Sequence, residues 1–297
     1  MREIAEGVAA LTMTIANAYL VGDAASWALV DAGSPGNAGK IRQAAQARFG
    51  NGARPRAIIL THGHFDHAGS ADSLARMWSV PVYAHRMEMP YLTGRSSYPP
   101  LDPTGPGFFS AMSRLFPSST VNLSGMVQPF DSGETLPGLE NWEMHATPGH
   151  TPGHVAFFRR ADGVLLAGDA VTTMNLDRLG DTLFRRREVS RPPAPATYDW
   201  EQARSSVERL AALRPRVIAA GHGLPMQYAA DQLERLAANF PAPAHGRYVA
   251  APARFDENGI TYLPPAPPDP LPAIAAGFAA GLVAGAIAVK LASRGKP

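Results

Sequence analysis

The sequence predicts an α/β fold, and three observations carry that prediction. Short apolar runs at 57–60 (AIIL), 164–167 (VLLA) and 217–220 (VIAA) read as strands buried on both faces. Segments of helix-forming composition at 38–49, 67–78 and 199–213 alternate with them. The chain has 297 residues, 45% of them hydrophobic, enough to bury one large α/β core or two small ones.

Taken in order, residues 8–31 alternate as two or three strands, and Asp31 with Gly33 and Gly36 marks a strand end and a turn. A helix is expected over 38–49 and a strand over 56–60, followed by a polar loop. The stretch HAGSADSLARMW at 67–78 has helical composition, and 80–85 reads as a strand. Residues 86–126 are too rich in Pro and Gly for regular structure, apart from a short helix near 109–115. An interruption of that length reads as a lid or substrate-binding loop, with Tyr91, Tyr98, Phe108 and Phe109 as residues for an apolar entrance.

Strands resume over 141–146, 154–159 and 163–168, then a helix over 199–213 with Asp199 as its N-cap. A strand over 216–220 and a helix over 225–239 complete a catalytic domain of residues 1–240. A Pro-rich extension or linker follows over 241–270, ending in a run where six of the nine residues 264–272 are proline, a stiff polyproline II spacer.

The last segment, 271–292, is expected to form an apolar Ala/Gly-rich helix. Residues 271–289 have no charged or polar side chain, and Gly277, Gly281 and Gly285 lie four apart, as in helices that pair within membranes. Only seven of these residues are Leu, Ile, Val or Phe, which contribute about −2 to −4 kcal/mol to insertion. The segment therefore reads as a membrane anchor or as a helix packed on the domain. The N-terminus has no clean apolar block behind a basic start, so the catalytic domain is expected in the cytoplasm, membrane-associated if this helix anchors it.

A formal charge of +2, with Lys and Arg scattered, does not suggest a nucleic-acid partner and leaves a small molecule as the expected substrate. There is no cysteine, so a metal would have to be held by histidine and carboxylate. The histidine pattern is therefore decisive. Directly after the 57–60 strand, THGHFDH places His62, His64, Asp66 and His67 within six positions. In an extended loop His62 and His64 project to one side, while Asp66 and His67 at a helix start turn toward a neighbouring point, one pair for each of two ions. Later strand ends deliver His150 (ATPGHTPGH), Asp169 (LAGDA) and His222 (AAGHG), and ligands gather where strands of an α/β sheet end.

In this order, Asp31, His62-Gly-His64-Phe-Asp66-His67, His150, Asp169 and His222, the chain resembles the metallo-β-lactamase fold superfamily over residues 8 to about 240. The resemblance implies a four-layer αβ/βα sandwich of two mixed sheets. It implies a first metal on His62, His64 and His150, a second on Asp66, His67 and His222, and Asp169 bridging them. Asp31 resembles the family's buried aspartate that steadies the His loop by hydrogen bonding. His154, in the repeated PGH, is expected to support the loop; His85, His145 and His245 have no family counterpart.

The implied cofactor is two Zn²⁺ per chain, with Fe or Mn also compatible with these ligands. Histidine at position 64, where the family's diiron oxygen-reducing branch has Glu, favours dizinc hydrolysis. Two metals lower the pKa of water toward about 7, and the hydroxide they hold would attack a carbonyl while Asp66 accepts and returns a proton. Asp169 argues against a true β-lactamase. TPGHTPGH and GDA are most similar to thioester hydrolases of the glyoxalase II type, although their basic glutathione-binding region has no clear counterpart here. A thioester, ester or lactone is the expected substrate. Lactonases acting on acyl-homoserine lactones resemble one another in a tyrosine where this chain has Thr172, which is expected with Tyr91 and Tyr98 to contact the substrate. An iron-dependent oxidoreductase or sulfur dioxygenase of the same fold, or an acyl-homoserine lactonase, is the alternative.

Overall fold

The computed structural model describes residues 1–116, 121–131 and 133–269. A seven-stranded sheet runs β1 (Arg2–Ala5), β2 (Val8–Thr12), β3 (Asn17–Gly22), β4 (Trp27–Val30), β5 (Ala57–Ile59), β6 (Val82–His85) and β7 (Val127–Phe130), in spatial order as in sequence. The first four strands form an antiparallel meander, and β4 to β7 are parallel. The helices between the parallel strands are α1 (Ala38–Phe49), α2 (Phe65–Ala68), α3 (Ala71–Trp78), α4 (Met89–Leu92) and α5 (Phe108–Met112).

The second sheet holds β8 (Glu143–Ala146), β9 (Val155–Arg159), β10 (Val164–Gly168), β11 (Val217–Ala220) and β12 (Met226–Gln227), in the order β12-β11-β10-β9-β8. Only β10 and β11 are parallel, and the helix that crosses between them is α7 (Trp200–Ala212), after the short α6 (Leu179–Phe184). The outer helix α8 (Ala230–Ala238) follows β12.

Strand parity explains the layering. Leu20, Leu29 and Ile58 pack with Ile41 of α1 and Leu74 of α3, while their neighbours Tyr19, Val30 and Ile59 face Phe157, Leu166 and Ala219 of the other sheet. Leu165 and Ile218, on the far side of that second sheet, pack with Val207 and Leu210 of α7 and Leu233 of α8. The result is helix, sheet, sheet, helix, the αβ/βα sandwich expected.

Differences from the expected elements have local causes. Strand β7 contains Pro129, which an edge strand tolerates because no ladder donor is needed there. Helix α8 starts at Ala230 and not at 225, because Met226 and Gln227 pair with Ile218 and Val217 and Tyr228 turns with φ +56°. The 67–78 stretch divides into the end of α2 and all of α3.

The largest departure concerns 241–270, expected to be an extension or linker. The compact unit runs from Met1 to Pro265. Within it, α9 (Arg247–Ala250) and the hairpin β13 (Arg254–Asp256) with β14 (Gly259–Tyr262) pack against the domain. Tyr248 is buried with Tyr198 and Trp200 and donates its hydroxyl to the Pro100 carbonyl, and the Ala253 N–H donates to the Tyr198 carbonyl at 3.0 Å. Alternation too weak to read in sequence still buries one large aromatic, which anchors the segment. The apolar helix expected over 271–292 lies outside the described residues. Among those described, no helix is long and apolar enough to cross a membrane.

Candidate metal centre

The site lies at the C-terminal ends of β4, β5, β10 and β11. Asp31 ends β4 in the left-handed region, φ +60°, a conformation costly for a residue with a Cβ. That turn aims its carboxylate at the next loop. Oδ1 accepts the Thr61 N–H at 2.8 Å, and Oδ2 accepts the His67 Nδ1–H at 2.8 Å and the Thr61 hydroxyl at 2.9 Å. Asp31 thus fixes both ends of the His loop, as the resemblance implied.

His62, His64 and His150 form one group whose ligating atoms lie within 4.8 Å of one another; Asp66, His67 and His222 form another, and His62, His67 and Asp169 a third that links them. These are the two pairs predicted from the loop, each completed from elsewhere in the chain. Asp169 sits between the groups, with one oxygen 3.6 Å from His67 Nε2 and the other 3.5 Å from His150 Nε2 and 3.1 Å from His222 Nε2. Asp66 stands 3.5 Å from His222 Nε2. Gly221 is needed for this approach, because a Cβ there would fall 2.1 Å from Asp169 Oδ1.

The outward-facing ring nitrogens set the tautomers. His67 Nδ1–H donates to Asp31, and His222 Nδ1–H donates to the Ile15 carbonyl at 3.0 Å. The Thr61 and Thr197 hydroxyls donate to Asp31 and to the Pro193 carbonyl, so each accepts from its histidine, His62 Nδ1–H at 3.0 Å and His150 Nδ1–H at 3.4 Å. Each of these four rings therefore turns an Nε2 inward. His64 is reversed: its Nδ1 faces His150 Nε2 at 3.0 Å and its Nε2 meets the Tyr198 hydroxyl at 3.2 Å. Five inward nitrogens with their other nitrogens engaged is the arrangement metal-binding imidazoles require.

Three buried atoms here, His62 Nε2, His67 Nε2 and Asp169 Oδ1, have no hydrogen-bond partner. Buried polar atoms are rarely left so, and a divalent cation among them would satisfy all three. The donor set fits such an ion.

Electrostatics separates the two groups. Burial pushes the imidazoles of His62 and His150 well below their usual range and that of His64 to about 4, keeping their lone pairs available. Burial also opposes charge on His67 and His222, but Asp169 and Asp66 outweigh it and raise both. Asp169, although buried, is held well below the usual carboxylate range by His222 and His67.

His154 ligates nothing in these groups. Its Nε2 accepts the Asp169 N–H at 2.8 Å and its Nδ1–H donates to the Thr147 hydroxyl at 2.7 Å, so it supports the loop as expected.

The chain belongs to the metallo-beta-lactamase superfamily. The model of that family matches residues 11–222. A probable metallo-hydrolase of Bacillus subtilis (strain 168), YflN, is 45% identical over 228 residues, covering 75% of this chain and 86% of that protein. Solved structures share the fold. The metallo-beta-lactamase family protein TTHA1429 from Thermus thermophilus is 25% identical with a TM-score of 0.57 over 80% of each chain. TTHA1623 in a di-iron-bound form is also 25% identical, with a TM-score of 0.52 over 76% of this chain and 97% of that one. The protein is thus of the metallo-hydrolase type, and its His/Asp cluster suits divalent metal.

A cavity of about 250 Å³ opens onto this superfamily site. Its walls are Ile15, Phe65, Tyr98, Pro99, Pro100, Leu101, Phe109, Phe116, Pro193, Pro195, Ala196 and Tyr198, with His64, Asp66, His150, Asp169 and His222 at the base. No Lys or Arg is among the described lining residues. Of the residues expected at an entrance, Tyr98 and Phe109 line this cavity and Phe108 does not. Tyr91 is buried behind the wall, its ring stacked on Tyr98 with centroids 4.2 Å apart. Thr172 is also away from the cavity: it is fully buried and its hydroxyl donates to the Met174 carbonyl at 2.8 Å.

Sequence reasoning missed Glu88 and Tyr198. Glu88 is fully buried, and its Oε2 accepts the Gly63 N–H at 2.9 Å and the Tyr98 hydroxyl, while Oε1 accepts the Thr151 hydroxyl at 2.8 Å and the Gly153 N–H at 2.7 Å. It ties the loop of His62 and His64 to the loop of His150 and fixes Tyr98 in the cavity wall. Burial raises its pKa, and the four donors oppose that rise. No local motif marks either residue.

Proposed function

We propose that this protein is a dinuclear metal-dependent hydrolase that cleaves an ester, thioester or lactone with a neutral, largely apolar acyl group. The observation that carries the reading is the pair of ligand groups meeting at Asp169, set at the base of an apolar cavity. In it His62, His64 and His150 would hold one ion and Asp66, His67 and His222 the other, with the Asp169 carboxylate between the two groups. When bound, such ions activate water and polarise a carbonyl.

The chain's own residues do the rest. Asp66, at the cavity base and turned to His222, takes the proton from the attacking water and returns it to the leaving oxygen or sulfur. Phe109, Phe116 and Leu101 exclude bulk water around the acyl chain. The absence of Lys and Arg from the described lining weighs against glutathione thioesters, whose carboxylates would be buried without a cation.

Zinc is the metal favoured by imidazole and carboxylate donors without thiolate. The di-iron form of TTHA1623 supports a second reading with iron and oxidative chemistry. Metal analysis of the purified protein, followed by assay of the loaded protein on esters, thioesters, lactones and β-lactams, tests the proposal. Two equivalents of zinc with turnover of an apolar ester, thioester or lactone are expected. A single iron per chain, or hydrolysis confined to β-lactams, overturns it.

A further inference from the structure

Tyr198 forms part of the cavity wall beside the first ligand group, and its hydroxyl lies 3.2 Å from His64 Nε2. The direction of that hydrogen bond follows from His64. With a metal on the first group, the lone pairs of His64 Nδ1 and His150 Nε2, 3.0 Å apart, both turn to the ion, and the one hydrogen of the neutral His64 ring then sits on Nε2. Tyr198 Oη therefore accepts, and its own O–H hydrogen is left to donate.

No described protein atom takes that hydrogen: the His64 contact is the one hydrogen bond of the Tyr198 hydroxyl among the described residues. The phenol is nevertheless rigidly held. Its backbone N–H donates to the Gly149 carbonyl at 2.9 Å, and its carbonyl accepts from Ala253 at 3.0 Å. Its ring packs edge-on against Tyr248 with centroids 5.1 Å apart. A fixed donor beside the site where a carbonyl would be attacked costs no reorganisation as negative charge develops, which is the condition for transition-state stabilisation.

We infer that Tyr198 is a catalytic hydrogen-bond donor, whose phenolic O–H is given to the carbonyl oxygen of the substrate as that oxygen gains charge. The inference rests on the hydrolase reading above. The proton stays on the phenol throughout, and no bond to Tyr198 forms or breaks. His64 has two tasks: one nitrogen faces the ligand group and the other orients the donor. The segment 241–265, which packs against Tyr198, keeps the donor in place.

The test is Tyr198→Phe in the full chain, which removes only the hydroxyl. Metal content, Tm, kcat and KM are measured on whichever ester, thioester or lactone the wild type turns over. Affinity for a tetrahedral phosphonate monoester is compared with that for the planar carboxylate product. Unchanged metal content and Tm, little change in KM, a kcat lowered on the order of 10²-fold, and weaker binding of the phosphonate but not of the carboxylate support the inference. Unchanged kcat and phosphonate affinity overturn it and leave the hydrolase reading standing. Loss of metal or of Tm in step with kcat overturns it in favour of a structural role. Absence of hydrolysis of any ester, thioester or lactone by the metal-loaded wild type overturns the hydrolase reading and this inference together.

Discussion

His154 Nε2 accepts the backbone N–H of Asp169 at 2.8 Å, so a histidine that ligates nothing sets the height of the carboxylate between the two ligand groups. Its other nitrogen is fixed by Thr147, and the ring is buried. Replacing it with Leu keeps most of the volume and leaves the Asp169 N–H without an acceptor. Metal affinity is expected to fall about 10- to 100-fold with the fold retained, measured by competition with a chelating dye and by circular dichroism.

His62→Ala removes an imidazole from two of the three ligand groups, and Asp169→Ala removes the carboxylate between them. Both variants are expected to lose bound metal and all detectable hydrolysis. Elemental analysis after exhaustive dialysis checks the first outcome. Full metal content in either variant would reject the ligand assignment.

Metal loading should release protons. Without metal, burial disfavours charge on His67 and His222, but Asp169 and Asp66 outweigh it and raise both above the ordinary imidazole value, so these rings hold their protons to higher pH than a free imidazole does. A metal ion needs the lone pairs and displaces those protons. Affinity is therefore expected to rise with pH through the raised range of these two groups and to weaken as pH falls. Calorimetric titration in buffers of different ionisation enthalpy should show net proton release, and an enthalpy independent of buffer would contradict it.

Glu88→Gln is isosteric but cannot satisfy the same partners. Each carboxylate oxygen accepts from a backbone N–H, Gly63 on one side and Gly153 on the other, so whichever way the amide is turned its NH₂ confronts a donor. The cost is about 1–3 kcal/mol of stability, read from denaturant unfolding. Because the residue joins the loops of His62 and His150, metal affinity should fall with it. Tyr98→Phe, which removes one hydroxyl and spares both N–H bonds, should have a smaller effect on each.

A chain ending at Pro265 keeps the whole of the compact unit and is expected to fold. One ending at Phe240 loses Tyr248 and the Ala253 bond that pack on Tyr198. Removing that aromatic burial costs about 2 kcal/mol or more, and a lower Tm in calorimetry is the expected result. Equal Tm values for the two lengths would show that 241–265 does not stabilise the domain.

The sequence by itself determined the strand and helix segments and the positions of the candidate ligands, and its resemblance to the superfamily implied the layers. Buried strands such as 57–60 and 217–220 are continuous apolar runs, and each ligand follows a strand end, so both survive in a one-dimensional pattern. Asp31 and His154 were legible through the resemblance, as polar residues within its motifs. What only the tertiary structure decided is how distant segments meet. Glu88 and Tyr198 have no spacing signature because they act across 65 and 134 positions of chain, on Gly153 and His64. Tyr91 and Thr172 have the right side chains for a substrate contact, but packing turns one behind Tyr98 and buries the other against Met174. Segment 241–265, Pro-rich in sequence, joins the domain through Tyr248 because a single buried aromatic can outweigh weak local propensity.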